Sequence, residues 1–150
     1  MRFQLLAKLL MLLIFSVSPL KKADADTVLY CQSELATGFA NKNGKYVSGD
    51  FKAQRYTVRV MGDFSEIFIG SRIFDCRPSY GPSFKPNAIT CFHTAQISKS
   101  GERVDYGGLP ELFFYDKEAK RFLYANLSNN GYAGNGEDTD NLYAGKCESF

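Results

Sequence analysis

A hydrophobic period of two restricts this chain more than any other feature. In the run from Tyr56 to Val60, Tyr56, Val58 and Val60 share one face while Thr57 and Arg59 take the other, as successive side chains do on a half-buried β-strand and do not on a helix. Residues 66–74 read as one strand, with Ile67, Ile69 and Ile73 on one side and Phe68 and Phe74 opposite, and residues 88–97 gather Ile89, Cys91, Ala95 and Ile97. Residues 112–115 and 121–127 flank the charged connector Asp116-Lys117-Glu118-Ala119-Lys120, whose length fits a turn between antiparallel strands. Asn43-Gly44 is a second hairpin signal, because type I′ turns need positive φ at both central residues. With an opening segment at 28–34 and a closing one at 141–150, the spacing predicts about eight short strands. The expected fold class is therefore all-β, a single antiparallel barrel or sandwich.

Only the start of the chain reads as helical. Arg2 and Lys8 lead into the apolar run 9–17, which Pro19, Lys21-Lys22 and the small-residue triplet Ala23-Asp24-Ala25 follow. A basic region, a short apolar region and an A-x-A site are the parts of a secretory signal peptide, and the run falls short of the roughly 20 apolar residues that a bilayer span needs. Residues 1–25 are thus expected to be a cleaved signal peptide and residues 26–150 a single β domain, periplasmic or secreted, with no membrane attachment after cleavage. Loss of Arg2, Lys8, Lys21, Lys22 and Asp24 takes the net charge from +2 to −1, and no Lys/Arg cluster interleaved with aromatic residues remains, so a nucleic-acid partner is excluded.

All four cysteines, at 31, 76, 91 and 147, lie in the part expected to be exported, and an even count there reads as two disulfides. Of the three connectivities, Cys31–Cys147 with Cys76–Cys91 is favoured, because the first pair joins strand-like segments at the chain ends and the second closes a local proline-rich loop. On the chain-entropy model the outer bridge contributes about 5 kcal/mol and the inner about 3 kcal/mol, before native strain is subtracted. Zinc is disfavoured, since there is no C-x-x-C and only one histidine.

No catalytic set, metal site or cofactor site is legible. His93 falls on the face of Ile89, Cys91, Ala95 and Ile97 and reads as a neutral core imidazole bonded to a neighbour. G-x-S-x-G, H-E-x-x-H and P-loop motifs are missing from the sequence. Glu137, Asp138 and Asp140, with Asn135 and Asn141 around them, offer hard oxygen ligands on a Gly-rich loop, but not at EF-hand spacing; a solvated loop is the preferred reading and calcium the alternative. Tyr80 and Phe84 sit on the proline-braced loop 77–87, and aromatics on a rigid loop lose little entropy on contact, which suits partner binding. Asn126-Leu127-Ser128 is a glycosylation sequon only if the source is eukaryotic.

The opening with Tyr30, Cys31 and Glu34, Gly38-Phe39 behind it, the interior Cys91-Phe92 and the close Gly145-x-Cys147-Glu148-x-Phe150 together resemble a group of small exported bacterial proteins of uncharacterised function. The resemblance spans most of the chain after residue 25, implies export and a disulfide-linked β domain, and brings no catalytic residues. The functional expectation is a monomeric, non-enzymatic binding or inhibitor module with a protein or small-molecule partner. A barrel carrying an apolar ligand is the alternative, followed by a hydrolase with an unrecognised site. Intact-mass measurement of exported material checks the processing: the expected mass is that of a chain starting at Asp26, and one retaining residues 1–25 overturns both the leader and the compartment.

Overall fold

The structure is a computed structural model that describes residues 25–79, 87–106, 110–128, 131–134 and 136–149. The expected leader, Ala25 apart, and the loop residues Tyr80 and Phe84 lie outside the described residues.

Among the described residues, ten strands follow in chain order: β1 (Thr27–Lys42), β2 (Lys45–Asp50), β3 (Arg55–Val60), β4 (Glu66–Ile69), β5 (Arg72–Pro78), β6 (Ala88–Ile97), β7 (Arg103–Asp105), β8 (Glu111–Asp116), β9 (Arg121–Asn126) and β10 (Asp140–Ser149). Eight of them pair in the order β1-β3-β4-β5-β6-β8-β9-β10, and β10 returns to pair antiparallel with β1, which closes the sheet into a barrel. The two remaining strands extend the wall, β2 against β1 and β7 against β6. Both described chain ends, the β3–β4 loop and the β8–β9 turn lie at one end of the barrel, here the lower; the β4–β5 turn, the β9–β10 loop and the β1–β2 hairpin lie at the upper end.

Local sequence explains the turns. Asn43 and Gly44 both have positive φ, 54° and 79°, and the Asn41 side chain accepts the Gly44 N–H at 2.9 Å, so the I′ signal forms the β1–β2 hairpin as expected. In the β8–β9 turn, Asp116 accepts the N–H groups of Glu118 and Ala119, the local bond for which Asp is favoured in turns. The polar stretch between β6 and β8 forms the short strand β7.

Two expectations from the alternation are corrected. Residues 66–74 do not form one strand: Gly70, at φ 63°, turns the chain between β4 and β5. Phe74, expected on the face opposite Ile67 and Ile69, lies in the core with them, because the turn after Ile69 resets the alternation: Ile69 pairs with Arg72 and Ile67 with Phe74, while Ile73 stands opposite outward Phe68. The opening strand is also much longer than residues 28–34. It continues through a bulge between Ser33 and Leu35, where the Ser33 N–H donates to Gln54 O and the Ser33 hydroxyl accepts the Gln54 N–H at 2.7 Å. Below the bulge β1 pairs with β3, and above it with β2.

The interior is filled by rings. Tyr56 meets Phe122, Tyr124 and Tyr143 edge-on with centroids 5.3–5.9 Å apart, and Phe113 stacks on Phe122 at 5.6 Å. Val58, Val60, Ile67 and Ile69 complete the core from β3 and β4. Burying a side chain of this size contributes about 1.5–3 kcal/mol, and a well-oriented aromatic pair roughly 0.5–1.5 kcal/mol more.

Cys31 pairs with Cys147 across the closing seam, with Cα atoms 3.9 Å apart, and Cys76 pairs with Cys91 between β5 and β6. The seam leaves little room elsewhere: a Cβ on Gly145 would collide with Gln32 O, and one on Gly38 with Asp140 O. Since the outer bridge closes a loop of 116 residues and the inner one of 15, Cys147→Ser is expected to cost about 2–5 kcal/mol and Cys76→Ser less. Urea unfolding of the two variants checks the order; a less stable Cys76→Ser variant reverses it.

Candidate docking wall on the outside of the barrel

On the strands from β6 round to β1, apolar residues occupy the outer face as well as the inner one. Phe92 stands between inward Cys91 and His93 on β6, Leu112 and Phe114 flank Phe113 on β8, Leu123 and Ala125 flank Tyr124 on β9, and Leu142 and Ala144 flank Tyr143 on β10. The pairing registers align them into two rows. One runs Phe92, Leu112, Ala125, Leu142; the other runs Phe114, Leu123, Ala144 and ends on Leu35 of β1. Leu35 is 71 %, Phe92 45 % and Leu142 37 % exposed. An antiparallel sheet with one solvated face ordinarily alternates apolar with polar, and this wall departs from that pattern by being apolar on both sides.

The opposite wall differs. There Arg59 lies over the Phe68 ring at 4.1 Å, and Arg103 pairs with Glu66 at 2.7 Å and with Asp105 at 2.8 Å. That side is clothed in charge.

At the upper end the wall continues into a cleft of about 420 Å³ lined by Phe39, Pro110, Leu127 and Tyr132. Phe39 is half exposed, its ring 6.2 Å from Tyr132, which in turn meets Tyr46 edge-on at 5.2 Å. Two acids of the Gly-rich loop build this cleft. Asp140, expected to be solvated, is buried and accepts the N–H groups of Ser128 at 2.7 Å and Tyr132 at 2.9 Å. Asp138 accepts the Ser128 hydroxyl, and the Tyr46 hydroxyl donates to the Asp138 and Gly136 carbonyls. Burying Asp140 is tolerable because its charge is met by backbone donors. Glu137 is exposed, and no His/Cys/Asp/Glu group able to hold a metal occurs among the described residues. Below the wall, Lys146 pairs with Glu34 at 2.8 Å on the rim of a polar groove of about 710 Å³ that Tyr30, Gln32, Arg55 and Thr57 also line.

His93 is buried, as its alternation suggested, and its ring stacks on Phe74 at 5.0 Å. Its company is not legible along any one strand. Glu111, from the start of β8, takes a hydrogen bond from the Tyr124 hydroxyl at 2.6 Å and one from Arg72 at 3.0 Å. The outward rows were equally hidden, because the second face of a strand becomes a surface only when four strands lie side by side.

Comparison with protein-family models, with curated proteins and with solved structures returned no match.

Burial above all, and for Tyr124 also the bond to Glu111, pushes the phenols of Tyr56 and Tyr124 well above the ordinary value of 10.0. A phenol raised in the fold contributes stability that is fully present below about pH 10 and lost as pH rises beyond it. Alkaline titration is expected to show the phenolates of Tyr56 and Tyr124 only as the barrel unfolds, and Tyr56→Phe to weaken the alkaline loss of stability. Phenolate appearing at these positions in the intact fold overturns the assignment.

Proposed function

We propose that this chain is an exported, non-enzymatic binding module that engages a protein partner through the apolar wall and the cleft above it. The observation that carries the reading is the pair of outward rows, Phe92-Leu112-Ala125-Leu142 and Phe114-Leu123-Ala144-Leu35, which a single core does not require. Export is supported by the leader-like start of the sequence and by two disulfides, which form and persist in oxidising compartments. Use as a carrier is less favoured, because the rings of Tyr56, Phe113, Phe122, Tyr124 and Tyr143 take up the interior that an apolar ligand would need. Catalysis is less favoured because the single imidazole is committed to the barrel wall and to Ala95 O.

Site-specific photo-crosslinking tests the reading. A crosslinker at position 142 on the wall is expected to yield partner adducts in the exported fraction, and one at position 57 on the polar side is not. Phe92→Lys with Leu142→Lys places two charges on exposed positions and is expected to keep the melting temperature while weakening binding by more than about 2 kcal/mol, roughly thirtyfold. Adducts of equal yield from both positions, or a double variant that binds as the parent does, overturn it.

A further inference from the structure

The inner face of the wall holds an arrangement that the docking reading does not use. His93, Glu111 and Tyr124 are the sequence neighbours of Phe92, Leu112 and Ala125, and they turn inward where those turn outward. The His93 ring is fixed by two contacts. Its Nε2 lies 3.0 Å from Ala95 O, and a carbonyl oxygen can only accept, so Nε2 carries a hydrogen. Its Nδ1 lies 3.4 Å from Glu111 Oε1. It makes no hydrogen bond within the protein, although the side chain is only 2 % exposed.

The consequence follows from donor and acceptor roles alone. A neutral imidazole with its hydrogen on Nε2 turns a bare lone pair toward a carboxylate oxygen, so acceptor faces acceptor in a dry site. One added proton converts that contact into a charge-assisted hydrogen bond. We propose that His93 and Glu111 together form a proton-binding site that ties the stability of the barrel's upper end to the acidity of its surroundings.

The surrounding groups say where the proton rests. Tyr124 and Arg72 both donate to Glu111 Oε2, and Arg72 also donates to the Tyr124 hydroxyl oxygen. With Oε2 filled by these two donors, Oε1 is the oxygen left to accept a hydrogen carried on Nδ1. Arg72, from β5, is the positive charge facing the site. Its charge is matched by Glu111, which leaves one net positive charge when the proton is bound. Tyr106, after β7, faces the imidazole edge-on at 6.4 Å, and Phe74 covers the other ring face. The proton is taken from and returned to solvent, and no other atom is transferred.

A free imidazole is half protonated near pH 6.5, on the order of the model-peptide value. A fold that holds the proton above that pH binds more protons than its unfolded chain, so the added stability is present in full at low pH and is lost as pH rises. The chain has one histidine, so nitrogen-15 resonance of the ring in the processed protein reports this site alone. At pH 7 both ring nitrogens are expected to carry hydrogen; a bare Nδ1 there overturns the proposal. In urea unfolding the parent's folding constant is expected to fall as pH is raised from 6 to 8, by up to about tenfold per pH unit, the limit for one proton. Glu111→Gln supplies an amide N–H to Nδ1 in place of the proton, and its folding constant is expected to lose that slope. Equal slopes in parent and variant overturn the proposal, and should Glu111→Gln fail to fold, the parent's ring resonances decide alone.

Discussion

Everything in this fold depends on the pairing of β10 with β1. An antiparallel sheet of eight strands left open would present two long edges of unpaired backbone groups, and closure removes both. The seam joins residues more than a hundred positions apart, from Leu29 opposite Ser149 to Phe39 opposite Asp140. Loop-closure entropy opposes such a contact. The Cys31–Cys147 bridge in the same ladder offsets much of that cost by confining the unfolded chain. Gly38 and Gly145 then let the backbones come closer than side chains would allow, and a one-residue slip would bring a Cβ-bearing residue to those points and turn the sulfurs apart.

Closure also decides what the two faces of each strand become. Inward, the barrel is narrow enough that six-membered rings from facing strands meet near its axis, and Tyr124 alone touches Tyr56, Phe74, Phe113 and Tyr143. Outward, the same registers set Leu142 beside Ala125 and Leu123 beside Ala144. The docking rows and the His93–Glu111 pair lie back to back on β6 and β8, which places the proposed contact with a partner and the proposed response to acidity on the same strands.

The buried polar groups follow one rule with different outcomes. Asp140 is buried but receives two backbone N–H groups, and so acts as the brace of the upper cleft. Glu111 is met by Tyr124 and Arg72. His93 is satisfied at one nitrogen and not at the other, and an unpaired polar atom in a dry site is where a fold has an unmet demand.

The sequence by itself determined the strand content, the Asn43-Gly44 hairpin, the Asp116 turn, the two pairs of cysteines and the inward placing of His93, because each follows from local chemistry or from a period of two counted along one segment. It misplaced Phe74, since residues 66–74 count as one strand along the sequence, and the turn at Gly70 that folds β5 back on β4 resets which residues face inward. It read Asp140 as solvated because a carboxylate in a Gly-rich stretch has no visible partner until the chain folds back on it. The outer wall could be decided only by tertiary structure. Phe92, Leu112, Ala125 and Leu142 are scattered over fifty residues of sequence, and hydrogen-bonded register is what makes them one surface.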